Sequence, residues 1–444
     1  MSQPTTKLHS ISKFLLKYLF LGKYIRMEPM RVTVIGAGIA GVATAYLLAR
    51  DGHDVTVLER RDAVALETSR ANAGILTPSQ SPPWNEPGIA RQALRFLLET
   101  DAKLVVTLRA EPWKFLWLAR FLRNSAPARH AAHARAILAL ARASRVVMDE
   151  MVHRHAIAFD RTSAGVLTLV RDARDLPAAE ASARAIRDLG TEATMLDGPA
   201  ALAMEPSLAP IRRDIVGGIL TAEDHSGDIH AFTTALAAAA AEAGVAFRFG
   251  VDVQGLRLSA GRVVAVETAS GPVAGDAVVL AAGSVSRALG RTASLDLPIY
   301  PVQGCSLTYR VPGWRDLPTR PVRDRLMKVA ITPLGERIRV SGMAVLDGVR
   351  DGIDPRFVDR TRRALRAIFP TLPEHAAETV WSGCRPMTPD GPPILGPTRI
   401  PNLFLNTGLG ALGWTLGCGA AQVVADLVAG RPPPVDAAAF ALAR

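Results

Sequence analysis

The sequence predicts an α/β fold: a Rossmann-type domain, discontinuous along the chain, with a second α+β domain built on a mostly antiparallel sheet. Three observations carry this. Residues 31–60, RVTVIGAGIAGVATAYLLARDGHDVTVLER, read as strand, glycine turn, helix, strand. Apolar runs at 276–283 (DAVVLAAG) and 403–405 resemble buried parallel strands and lead into glycine-containing turns, so the chain returns twice to its first domain. Between those returns, residues 300–311 and 329–345 read as longer strands of a second sheet, separated by a proline-rich loop.

The opening stretch is the most informative. Residues 31–35 form a β-branched apolar run suited to a strand buried on both faces, and Gly36, Gly38 and Gly41 follow at once. The first glycine permits a tight turn, the second lets backbone approach a pyrophosphate, and the third lets helix pack on strand. A helix over 40–50 then directs its positive end at the phosphates, and Gly52 stops it. The next strand, 55–58, ends at Glu59, about 20 residues beyond the turn, where an acidic side chain binds ribose hydroxyls. Glycine spacing alone is a weak signal. Strand, helix and acid in that order turn it into a dinucleotide site, with nicotinamide and flavin dinucleotides both open.

The 444 residues allow two or three domains, and 49% apolar with 21% charged residues is a globular composition. The net charge of +11 does not indicate a nucleic-acid binder, because arginine is spread through alanine-rich segments such as 128–145 without interleaved aromatics. Cys305, Cys384 and Cys418 lie far apart in no metal-binding spacing and fit a reducing cytoplasm. His130 with His133, and His153 with His155, lack further ligands nearby, so no metal is expected. Residues 14–21 are apolar but carry Lys17 and are flanked by basic residues, too short and too charged to span a bilayer. Two readings stay open: a basic amphipathic segment on a membrane surface, or a start at Met27 or Met30.

Further along, residues 67–74 (ETSRANAG) read as a loop entering a helix, and helical periodicity occupies 89–122, 126–155 and 173–190. A strand is expected at 165–170, a helix at 230–243, and a helix at 359–369 that stops before Pro370. Residues 381–391 (WSGCRPMTPDG) punctuate the chain, and 407–413 (TGLGALG) open a last helix reaching 428. The expected division is an extension at 1–30, a nucleotide domain at 31–105, 211–290 and 380–435, and a substrate domain at 106–210 and 291–379.

Five segments in order, the opening stretch, ETSRANAG, YPVQG, CRPMTPDGPPILGPTRI and NLFLNTGLGALGWTLGCGAAQVVADLVAGR, resemble those of flavin-dependent D-amino acid dehydrogenases in the wider D-amino acid oxidase and glycine oxidase superfamily. The resemblance implies non-covalent FAD. Its cradle would comprise Val32, Ile35, Gly36, Ala37, Gly38, Ile39, Ala40 and Gly41, with Glu59 and Arg60 at the ribose end. Ser69, Asn72, Ala73 and Gly74 would follow the ribityl and ring portions, Val253 the adenine, Gly283 the pyrophosphate, and Gly408, Gly410, Gly413 and Trp414 the isoalloxazine. Arg385 would be the catalytic-site arginine that binds the substrate carboxylate, with Tyr300, Cys305, Met327 and Leu409 around the substrate.

The chain departs from the family pattern at four places. Leu409 stands for a histidine, Cys305 and Met327 for tyrosines, and Val345 for a glutamate. The implied reaction is oxidative deamination of a D-amino acid to a 2-oxo acid and ammonia, with electrons passed to a quinone or carrier protein. The departures keep open a glycine/sarcosine-type enzyme, a D-proline or D-hydroxyproline oxidase or dehydrogenase, and a flavoprotein subunit without its own activity. The expected location is the cytoplasm, either free or peripheral on the inner face of the cytoplasmic membrane, with the oligomeric state open.

Overall fold

Two sheets share the chain, and neither is continuous in sequence. The computed structural model describes residues 28–90, 104–106, 111–348 and 352–444. The predicted amphipathic segment at 14–21 and Met27 lie outside the described residues, as does much of the predicted helix at 89–122.

The first sheet has six strands in the order Ile394–Pro397, Leu403–Thr407, Ala277–Leu280, Arg31–Ile35, Asp54–Leu58 and Ala246–Arg248. All neighbours are parallel except the edge strand Ile394–Pro397. The strand Arg31–Ile35 is central, pairing Val32 with Ala277 on one side and Val55 on the other. It is buried on both faces from Val32 onward, which its unbroken β-branched run requires. Helices Ile39–Arg50, Pro127–His155, Ile229–Glu242 and Gly413–Val428 share one apolar core with this sheet. Among the described residues the last of these is the one helix apolar enough, with the turn before it, to cross a membrane by length, and it is mostly buried in that core.

The second sheet runs Glu378–Met387, Tyr300–Arg310, Arg337–Leu346, Val329–Leu334, Val322–Asp324, Val166–Val170, Gly217–Thr221, Thr194–Asp197, with Leu104–Val106 beside Arg337–Leu346. Two pairings are parallel, Val322–Asp324 with Val166–Val170 and Arg337–Leu346 with Leu104–Val106; the rest are antiparallel. Alternation divides the strands. Leu307, Tyr309, Ile331, Ile338 and Val340 pack with Val358, Leu365 and Ile368 of the helix Pro355–Ile368, while Ser306, Ala330 and Ser341 face a cleft.

Two segments sit in the other sheet from the one expected. Gly217–Thr221, assigned from sequence to the nucleotide domain, pairs with Val166–Val170, and a short apolar run carries no mark of which sheet it joins. Glu378–Met387 is the edge of the second sheet, held by a ten-residue register with Tyr300–Tyr309, so the C-terminal return to the first sheet begins at Ile394. Leu104–Val106 also interrupts the stretch expected to be helical, and the helix there is Pro112–Arg123, begun by its proline.

Candidate active-site cleft

The carboxyl ends of the first sheet's strands deliver the glycine turns to one place. Ile35 and Gly36 end the central strand, Leu58 and Glu59 the next, Ala281 to Gly283 follow Ala277–Leu280, and Leu409 to Gly413 follow Leu403–Thr407. All line one cleft of about 1770 Å³ that runs between the sheets. Small-molecule pockets hold roughly 300–1,000 Å³, so this cleft has room for a dinucleotide and a further small ligand.

The first turn has no tolerance for side chains. Gly36 has φ +104°, and a Cβ there would come within 2.7 Å of Ala281 O; a Cβ on Gly41 would overlap Gly36 O. Glu59 is buried, and its two carboxylate oxygens accept from Ala37 N at 2.7 Å and Arg61 N at 2.9 Å. The acid thus braces the turn while it lines the cleft. Each oxygen keeps a lone pair for a ribose hydroxyl. Ser69 Oγ accepts from Ile39 N at 3.1 Å, which ties the 67–74 loop to the start of the helix Ile39–Arg50. Asn72 Oδ1 accepts from Gly74 N at 2.8 Å and closes that loop into a turn.

Among the residues singled out from sequence, Ile35, Gly36, Gly38, Ile39, Ala40, Glu59, Arg60, Ser69, Asn72, Ala73, Val253, Gly283, Cys305, Arg385, Leu409, Gly410, Gly413 and Trp414 line this cleft. Val32, Ala37, Gly41, Gly74 and Gly408 are outside the lining, and all but Val32 adjoin lining residues in the chain. Tyr300 and Met327 are placed elsewhere. Tyr300 is fully buried with Trp117, Val302 and Leu346, and its hydroxyl donates to Glu111 at 2.7 Å, because at the start of its strand Trp117 of the helix Pro112–Arg123 packs over it. Met327 packs against the core beneath the second sheet, and its N–H is held by Asp324. Val345 is likewise outside the lining, so of the four departures from the family pattern only Leu409 and Cys305 border the cleft.

Arg385 is partly buried and borders the cleft. Its guanidinium lies across Gly304 of the neighbouring strand, where a Cβ would stand only 2.6 Å from Cζ and Nη2. Nη1 donates to Met343 O at 3.3 Å, from a residue held at φ +62°. Among the described residues no carboxylate pairs with it, and desolvation pushes its pKa down. An arginine in such a place stays charged and has donors left for an anion in the cleft. Of the cysteines only Cys305 borders the cleft, and burial raises its pKa, so it is held as a thiol.

Sequence reasoning missed the groups that join the two sheets. Ser306 Oγ donates to Ala71 O at 2.6 Å, Thr332 Oγ1 to Ala73 O at 2.7 Å and Arg339 Nη1 to Asn72 O at 3.2 Å. Arg339 is buried and pulled down to about 10 by desolvation, with Asp228 as its countercharge. The available signal was polar side chains alternating with apolar ones on strands of the second sheet. The seat that Gly304 provides inside YPVQG had no such signal, since only the register opposite Gly383 reveals it.

The family of FAD dependent oxidoreductases matches residues 31–427, nearly the whole cleft-forming chain. The protein belongs to this family. The FAD-dependent oxidoreductase is similar to the D-amino acid dehydrogenase of Methylobacterium nodulans, 43% identical over 407 residues, covering 91% of this chain and 97% of the relative. It is also similar to the D-amino acid dehydrogenase of Rhizobium rhizogenes, 41% identical and covering 94% of this chain and all of the relative. Among solved structures, glycine oxidase from Geobacillus kaustophilus has the same fold, with TM-score 0.73, 23% identity, and 94% of this chain and 99% of the other covered. L-proline dehydrogenase from P.horikoshii does so with TM-score 0.71, 17% identity and 94% and 97% covered. The glycine turn, Glu59 and the long cleft fit FAD, the cofactor of this oxidoreductase family.

Proposed function

We propose that this oxidoreductase removes the α-hydrogen of a D-amino acid, giving an imino acid that water converts to a 2-oxo acid and ammonia, with electrons leaving to a quinone or carrier protein. The observation that carries the reading is Arg385, a partly buried cation with no carboxylate partner among the described residues, which borders the same cleft as the glycine turns. The names of the relatives at 41–43% identity support the substrate class.

Bound FAD supplies the hydride acceptor, held by the first turn, Glu59, the 69–73 loop and the turn before Gly413–Val428. The protein's own residues then orient and tune the substrate. Arg385 grips its carboxylate with two parallel N–H groups and fixes the α-carbon, an orientation effect rather than acid-base chemistry. The positive charge and low polarity beside Arg385 favour a neutral amine, whose lone pair drives loss of the hydride. The electron pair leaves with the α-hydrogen, a C=N bond forms, and the iminium proton passes to water. No side-chain base is required. The helix Gly413–Val428 aims its positive end at the cleft and stabilises negative charge that accumulates there. FAD is held non-covalently in this reading: Cys384 and Cys418 lie outside the cleft lining, and burial raises the pKa of the Cys305 thiol.

The test is anaerobic mixing of the purified yellow protein with D-, L- and N-alkyl amino acids while the flavin absorbance is followed. Bleaching by D-amino acids is expected. Bleaching only by glycine, sarcosine or L-amino acids would overturn the substrate class, and no bleaching by any of them would indicate a subunit without its own activity. Readmitting air then separates a slow, dehydrogenase-type reoxidation from a rapid, oxidase-type one.

A further inference from the structure

A second arginine borders the same cleft and has no ion-pair partner among the described residues. Arg323 lies on Val322–Asp324, directly opposite Ala330 on one side and Thr168 on the other. That rung continues through Ser341 to Ser306. All five residues line the cleft, so the rung faces the ligand space and not the core under the sheet.

Among the described residues no carboxylate forms an ion pair with Arg323. The acid whose field reaches it is Asp224, which lies beyond ion-pair distance and accepts from Ser79 N at 3.2 Å, Ser79 Oγ at 2.5 Å and Thr221 Oγ1 at 2.7 Å. Desolvation lowers the pKa of Arg323, and the neighbouring Arg325 lowers it further. Like Arg385, it is a partly buried cation that borders the cleft.

The register sets the relation between the two. The Arg385 guanidinium rests over Gly304, two residues from Ser306 on the same strand. Three strand spacings separate Ser306 from Arg323 along the rung, roughly 14 Å between backbones. Both arginines border the cleft from this one sheet, which suits a ligand carrying an anion at each end of a short aliphatic chain. Arg323 is remote in the fold from the glycine turn that takes the cofactor's phosphates, being on the other sheet.

We propose that Arg323 is a specificity-determining residue that binds a second carboxylate, so that the substrate is an acidic α-amino acid held at its α-carboxylate by Arg385 and at its side-chain carboxylate by Arg323. This rests on the reaction proposed above and names its substrate class. The apolar or cyclic substrates left open by Leu409 and Cys305 are then disfavoured, because a partly buried guanidinium left unpaired at the side-chain end rejects them.

The experiment uses the FAD-loaded full chain, with D-aspartate, D-glutamate and D-2-aminoadipate set against D-asparagine, D-glutamine and D-norvaline. In the wild type, one of the three acids is expected to show a kcat/KM at least tenfold above its uncharged counterpart. Arg323→Leu is expected to collapse that ratio at least tenfold, and Arg323→Lys to restore part of it. Flavin content of each variant monitors folding. A parallel titration with glutarate and butyrate, read from the flavin spectrum without turnover, separates the two readings. If no amino acid bleaches the flavin but glutarate binds at least tenfold more tightly than butyrate and loses that advantage in Arg323→Leu, the reaction is wrong and the second anion site stands. Equal treatment of acidic and uncharged substrates by the wild type, or a loss of flavin in Arg323→Leu with the acid-to-amide ratio unchanged, overturns the proposal; the latter would assign the cation to the cofactor.

Discussion

The glycine turn at Gly36 to Gly41 and the floor of the second sheet around Arg385 border the same cleft, but they are built by opposite means. The turn uses backbone. Its glycines, the helix start and Glu59 come from residues 31–59, and its geometry follows from spacing within one strand-helix-strand unit. The floor uses side chains. Arg385, Gly304, Ser341, Ala330 and Arg323 come from five strands and meet through cross-strand register. In the proposed function a local backbone device holds the cofactor, and side chains that can change one at a time without disturbing it hold the substrate.

The largest effect is expected where backbone meets backbone. Gly41→Ala puts a methyl into Gly36 O, and neither atom can yield because both belong to regular elements. A loss of about 3 kcal/mol or more in unfolding free energy is expected, with little flavin in the purified protein. Denaturant melts and the ratio of flavin to protein absorbance measure both. A holoprotein of normal stability would break the contrast between the two regions.

Gly304→Ala tests the floor. Its methyl displaces the Arg385 guanidinium and leaves the nucleotide turn untouched, so flavin content should stay normal. A shift of this kind at a positioning group costs on the order of 10²-fold in kcat/KM. Stopped-flow reduction of the flavin reads this directly, and loss of flavin instead would show that the two regions are not separable.

The smallest effect is expected at the seam. His225 sits in the strand His225–Ser226, which pairs with Ile75–Leu76 beside the 67–74 loop. Burial, and then the charge of the adjacent Arg145, depress its pKa to about 4. The native imidazole therefore stays neutral while the unfolded one takes a proton below about 6.5. Stability should fall as pH drops from about 6.5 to about 4 and lose no more from this group below that. With allowance for residual solvation the contribution is on the order of 1–2 kcal/mol. A flatter dependence of melting temperature on pH in His225→Gln checks the assignment.

The same contrast explains what the sequence made legible. The strand Arg31–Ile35, its helix and Glu59 could be read in place because every signal lies within thirty residues. Arg385 was reached through the resemblance of its motif, whereas its seat on Gly304 and its isolation from any carboxylate depend on a pairing partner about eighty residues away. Tyr300 shows the limit plainly. It opens YPVQG and shares a strand face with Gly304 and Ser306, yet Trp117 of the helix Pro112–Arg123 covers it and Glu111 takes its hydroxyl. Gly217–Thr221 was legible as a strand and not as a member of the second sheet, since a five-residue apolar run suits either. Arg323 left no mark at all, because an arginine on a short strand is ordinarily exposed, and only the two flanking strands show that it faces a cleft.

If Arg385 holds the substrate carboxylate in a cleft whose cofactor is held independently, anaerobic reduction of Arg385→Ala separates the two roles. Two charge-assisted hydrogen bonds would be lost, so the substrate concentration for half-maximal bleaching should rise roughly 10³-fold with flavin content unchanged. An unchanged half-maximal concentration would contradict the account.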